Sequence, residues 1–93
     1  MKNVKIRILT DRGAYVWLKI NYFPKRCGGG VDNFYLTDHA CWATAVPLKD
    51  ARKWMREAKC LAATDGDVIE KTEYMYSGKP TTLSALGLKR GKR

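Results

Sequence analysis

One stretch, Pro47 to about Ala63, repeats its apolar residues every third or fourth position, whereas stretches on either side of it alternate by twos. That contrast limits the fold more than any other feature of the chain. Ala51, Trp54, Met55, Ala58, Leu61 and Ala62 fall on one face of a helix, and Lys49, Arg52, Lys53, Arg56 and Lys59 gather on the opposite face. Pro47 suits the first turn of a helix, and Asp50 complements the positive end of its dipole. Thr64-Asp65-Gly66-Asp67 ends it. A helix with one apolar face must cover another layer, and strands with one apolar face of their own supply it.

From Val4 to Leu9, Val4, Ile6 and Ile8 alternate with Lys5 and Arg7, the period of a strand with one wet face. Thr10-Asp11-Arg12-Gly13 carries turn chemistry. Ala14 to Phe23 follows, with Val16, Leu18, Ile20 and Tyr22 on one side and Tyr15, Trp17, Lys19 and Asn21 on the other, so the two segments form a hairpin. Pro24 to Val31 has no period and a Gly28-Gly29-Gly30 run, the mark of a surface loop. Asn33–Thr37 is a short third strand, and the stretch Cys41–Val46 holds a turn and a fourth. Val68–Tyr76 is the last strand, broken by Ser77-Gly78-Lys79-Pro80, and Thr82–Leu88 forms a single helical turn. The expected fold is α+β: a small antiparallel sheet of three to five strands with one main amphipathic helix packed on one face, in β-β-β-α-β order. Residues 1–78 make the single domain and 79–93 a basic C-terminal tail. A 10.6 kDa chain builds one modest core and leaves little room for a deep cofactor pocket, so no cofactor is expected.

The charge points to an anionic partner. Eighteen Lys and Arg against nine Asp and Glu give +9, and Lys89, Arg90, Lys92 and Arg93 at the end carry four of those charges, so the body remains at +5 without them. The helix stripe Lys49, Arg52, Lys53, Arg56 and Lys59 offers a row of cations to a row of phosphates, with Glu57 the acid among them. Lys25 and Arg26 in the glycine-rich loop are a basic contact. That loop lacks the Walker spacing, its Lys-Ser/Thr ending and a following helix, which excludes a nucleotide site. Tyr15 and Trp17 with Lys19, joined by Tyr35 and Arg7, form an aromatic and basic sheet face for stacked bases or a protein partner, without the RNP pattern of an RRM. The alternative is that these aromatics pack together with Trp42 under the loops.

Chemistry is not expected. Asp38, His39 and Cys41 are neighbours in sequence, which does not make a triad, and one histidine with Cys27, Cys41 and Cys60 has no zinc spacing. A loop histidine and a buried cysteine are expected there instead. The odd cysteine count without CxxC suits a reducing compartment. Met1-Lys2-Asn3-Val4-Lys5-Ile6-Arg7 lacks the continuous apolar run of a signal peptide, and no stretch approaches the roughly 20 apolar residues of a membrane span. Cytoplasmic location and no membrane partner are the expectation, and the oligomeric state stays open.

Phe34-Tyr35-Leu36-Thr37-Asp38, then Val46-Pro47-Leu48-Lys49-Asp50-Ala51-Arg52-Lys53-Trp54, then Val68-Ile69-Glu70-Lys71 follow an order that resembles small accessory proteins of bacteriophages. Anti-CRISPR inhibitors among these are similar in size and in lacking a catalytic motif. The resemblance implies a non-enzymatic, phage-encoded inhibitor that binds a host nucleoprotein complex by stoichiometric contact, in the bacterial cytoplasm. Many such inhibitors are acidic mimics of nucleic acid, and this basic chain departs from that pattern. The implied contacts are therefore guide RNA, target DNA or acidic patches on the effector proteins. The alternative is a free-standing small DNA- or RNA-binding protein that uses the same surface.

Overall fold

A computed structural model describes residues 2–87. In chain order its elements are β1 (Asn3–Thr10), β2 (Tyr15–Tyr22), β3 (Val31–Thr37), β4 (Val46–Pro47), α1 (Leu48–Thr64), β5 (Ile69–Tyr76) and β6 (Lys79–Thr81), with 3-10 turns at Lys25–Cys27 and Ala40–Trp42. All strand pairs are antiparallel, in the order β3-β2-β1-β5-β6, and β4 pairs with the start of β1. One helix on a six-stranded sheet makes the expected α+β sandwich, with two short strands added to the expected order.

Alternation decides the faces. Arg7 stands opposite Trp17 and Ile8 opposite Val16, so Val4, Ile6 and Ile8 share the helix-covered face with Val16, Leu18 and Ile20. The hairpin closes through Gly13, whose φ of 77° lets its N–H donate to the Thr10 carbonyl at 3.0 Å while the Thr10 N–H donates to Ala14. Ala51 and Ala58 bring α1 close to the sheet, and Trp54 meets Phe34 edge to face at 5.2 Å between ring centroids.

β1 and β2 do not stay paired along their whole length. Past Trp17, the chain between β3 and α1 wedges between them. Thr44 carries that insertion: its N–H donates to the Leu18 carbonyl at 3.0 Å, and its hydroxyl accepts from the Ile20 N–H at 2.8 Å and donates to the Ile20 carbonyl. Val46 then pairs with Val4. The expected turn plus fourth strand is thus a 3-10 turn followed by a two-residue strand. Pro47 lies just outside α1, extended at φ −60°, ψ 149°, and closes β4 instead of opening the helix.

Gly66, at φ 83°, ends α1. Its N–H donates to Ala63 and the Asp67 N–H to Ala62, the paired bonds of a Schellman motif. Ser77 and Gly78, at φ 52° and 80°, form a turn of type I′ that sends the chain straight back as β6. The folded body therefore runs past residue 78: Lys79–Thr81 belong to the sheet and Leu83 to the core, a segment expected in the tail. Pro80 is tolerated because it sits opposite Met75 between the two hydrogen-bonded pairs of this ribbon. Over the described part of the expected helical turn, the Thr82 hydroxyl accepts from the Ala85 N–H at 3.1 Å, and the Leu86 and Gly87 N–H groups donate to the Leu83 and Ser84 carbonyls at 3.1 and 3.0 Å as two overlapping turns. Leu88 lies outside the described residues. The loop after β2 includes the short Lys25–Cys27 turn where no regular structure was expected.

Candidate nucleic-acid interface

Helical spacing collects Lys49, Arg52, Lys53, Arg56 and Lys59 within about 120° of arc, and all of them are exposed. The same spacing puts Ala51, Trp54, Met55, Ala58 and Ala62 against the sheet, so the stripe points away from the sheet. Among the described residues, no carboxylate lies within ion-pair distance of these cations. The stripe divides toward its edges. The Lys53 ammonium sits 5.3 Å from the centre of the Trp54 ring, on the flank where Trp54 meets β3. Arg52 borders a groove together with Tyr74, which places it on the β5 flank, while Arg56 lies at the middle of the arc. Burial pushes the Tyr74 hydroxyl's pKa up, against the opposing pull of these two cations, so the phenol stays protonated.

Lys25 and Arg26 lie in the turn after β2, at the end of the sheet where β1 begins and α1 starts. Both are exposed. Topology thus brings the basic loop and the first turns of α1 to one end of the molecule. Lys89, Arg90, Lys92 and Arg93 lie outside the described residues.

Tyr15, Trp17 and Lys19 occupy the other side of the sheet. Packing engages much of this face. The Arg7 guanidinium lies 4.0 Å from the centre of the Tyr15 ring and 5.5 Å from that of Trp17. Arg7 Nε also donates to Glu73 Oε1 at 2.8 Å, its Nη2 meets the same oxygen, and Lys71 approaches the carboxylate at 3.5 Å. Burial works to raise the Glu73 pKa, but the Arg7 hydrogen bond and charge, joined by Lys71, outweigh it and hold the carboxyl below its ordinary range. Trp17, Lys5, Ala40, Ala45 and Met75 wall a cavity of about 480 Å³. Trp17 and Lys19 are half-buried, opposite Thr37 and Tyr35 respectively. Tyr15 and Tyr35 remain 40% exposed, so the face keeps aromatic edges but not a bare stacking platform.

Trp42 does not pack under the loops as the core alternative required: it is 52% exposed and holds the His39 ring at 4.4 Å between centroids. Cys41, expected to be buried, is exposed, because the 3-10 turn carrying it buries none of its residues. Among the described residues no hydrogen bond joins His39 to Cys41, and no group of three or more His, Cys, Asp or Glu is placed to hold a metal. No described helix is long and apolar enough to cross a membrane.

Sequence reasoning did not find the Arg7–Glu73–Lys71 cluster or the groove that Tyr74 lines. Arg7 and Glu73 are 66 positions apart, and alternation alone does not say which strands become neighbours. Comparison with protein-family models, with curated proteins and with solved structures finds no match in any of the three.

Proposed function

We propose that this domain is a non-enzymatic binding protein that engages nucleic acid within a host nucleoprotein complex, in the manner of phage-encoded, anti-CRISPR-like inhibitors acting in the bacterial cytoplasm. The observation that supports this reading is the solvent face of α1, five exposed cations with no carboxylate paired to them among the described residues. A face that serves only solubility mixes both signs. Rows of Lys and Arg instead displace counterions from a phosphate backbone. Tyr35, exposed on the outer sheet face, and Trp42, exposed on the turn before β4, suit a protein partner, where aromatic side chains dominate binding energy.

A free-standing DNA- or RNA-binding protein is the second reading. It is favoured by the stripe and the Tyr15–Trp17 face lying on opposite sides of the two layers, which lets α1 meet nucleic acid without protein contact. Affinity purification from bacterial lysate, with and without nuclease and at moderate salt, separates the two. A stoichiometric ribonucleoprotein that survives nuclease supports the inhibitor, and nuclease-sensitive recovery of bulk nucleic acid alone supports the free-standing binder. Arg52→Glu with Arg56→Glu abolishes recovery while circular dichroism stays unchanged. Wild-type recovery by that folded double variant would falsify the role of the stripe.

A further inference from the structure

Between α1, β5 and the segment Pro80–Ser84 lies a groove of about 600 Å³ whose lining was not singled out in the sequence apart from Arg52. Arg52 borders it from the helix and Lys71 from the strand, and Thr72, Tyr74, Thr82 and Ser84 add hydroxyls. Glu73 also borders it, but that carboxylate is held by Arg7 and Lys71. Among the lining residues, Arg52 and Lys71 carry two positive charges against the one negative charge of Glu73, a net +1, and Arg7, outside the lining, adds its own charge beside that carboxylate.

The hydroxyls are placed to donate. Among the described residues those of Thr72, Tyr74 and Ser84 have no hydrogen-bond partner, and the Thr82 oxygen, which accepts from Ala85, keeps its own proton to give. The Tyr74 phenol, neutral as phenols ordinarily are and pushed further from ionising by burial, is a donor and not a competing anion.

The backbone adds one more donor. In a two-residue hairpin the pair that closes the turn is hydrogen-bonded, so Tyr76–Lys79 and, two residues on, Tyr74–Thr81 exchange bonds across β5 and β6. Thr72 continues that alternation, and its N–H faces the same side. β6 ends at Thr81, so no strand meets it there among the described residues. A cavity with two cations from separate elements, several free hydroxyl donors and an open N–H is complementary to an oxyanion with many acceptor oxygens.

We infer that the groove bounded by Arg52, Lys71, Thr72, Tyr74, Thr82 and Ser84 is a phosphate-binding site. Its ligand is a phosphate group, either a diester within a nucleic-acid strand or a free inorganic or monoester phosphate. It shares Arg52 with the helix stripe but otherwise rests on its own lining, so it stands or falls separately from the proposed function.

The test is a titration of the full chain, ¹⁵N-labelled, with inorganic phosphate against chloride at matched ionic strength, followed by amide resonances. Saturable shifts confined to Thr72, Thr81, Thr82 and Ser84 are expected, weakened at least about tenfold in Lys71→Ala and in Ser84→Asp, which sets a carboxylate in the groove. Both positions are exposed, and the remaining spectrum reports whether each variant is folded. A single-stranded oligonucleotide forms the second arm. Shifts of the same amides, competed by phosphate, assign the site to a nucleic-acid phosphate, whereas phosphate shifts without oligonucleotide shifts assign it to free phosphate. Lys49→Glu with Lys53→Glu, both outside the groove, separates the two ideas: it removes oligonucleotide binding through the stripe and leaves the phosphate shifts in place. Shifts spread evenly over exposed lysines, or identical in wild type and both groove variants, overturn the site.

Discussion

Arg7 ties together the outer sheet face, since its guanidinium stacks on Tyr15, reaches Trp17 and holds Glu73. Both charges of the pair are largely out of water, at 17% and 8% side-chain exposure. Removing one partner of such a pair leaves the other buried and uncompensated, a loss of about 3–5 kcal/mol in a fully stranded case. Lys71 remains beside Glu73, so Arg7→Met is expected to cost less, about 2 kcal/mol, measured as a shift in urea unfolding. The pH dependence has a definite sign. Folding lowers the Glu73 pKa, so its contribution is complete above the unfolded carboxyl value and disappears as pH falls through the folded one. Urea midpoints taken from neutral pH into the acid range should therefore fall more steeply for wild type than for Glu73→Gln. Parallel curves would mean that the pair carries no such linkage.

Two turns decide how the elements end, and each rests on backbone that glycine adopts most easily. Gly66 holds φ 83° with nothing within 4 Å of where a Cβ would stand. Gly66→Ala therefore meets no neighbour, but its Cβ strains a backbone held in the left-handed region, and a loss of about 1 kcal/mol of stability is expected. Ser77 is the reverse case, a non-glycine residue at φ 52° in the first central position of a type I′ turn. Ser77→Asn supplies the Asn-Gly pair that this turn prefers and is expected to stabilise the domain by about 0.5 kcal/mol. Chemical denaturation of the two variants should move the midpoint in opposite directions. β6 escaped the sequence reading for a related reason: Pro80 normally argues against a strand, and only its place opposite Met75, where no N–H is required, makes the ribbon possible.

Across the molecule, the two candidate surfaces are separated by the sandwich itself. The helix covers the inner face of the sheet and presents its cations outward, while Tyr15, Trp17 and Lys19 lie beyond the sheet on the opposite side. One straight duplex laid along α1 does not also reach those aromatics. Binding through the stripe should then be governed by its cations, with log K falling against log salt at a slope of about −4.5 if each of the five meets a phosphate of a duplex. Arg56→Ala should lower the magnitude of that slope by about one, as read by fluorescence anisotropy over a salt series. An unchanged slope would place the contacts elsewhere on the protein.

The amino-acid sequence by itself determined which residues face the core. Ala51, Trp54, Met55 and Ala58 against Lys49, Arg52, Lys53 and Arg56, like Leu18 and Ile20 against Trp17 and Lys19, follow from periods of 3.6 and 2 that every short segment carries on its own. It therefore also determined the existence of the basic stripe. Only the tertiary structure decided which faces became neighbours. Arg7 finds Glu73, Thr44 parts β1 from β2, and Arg52 meets Lys71 and Tyr74 across a groove because distant strands pair in one register. Period states the side on which a residue lies but not the partner opposite it. That choice is made by hydrogen-bonded turns and by the shared burial of one core.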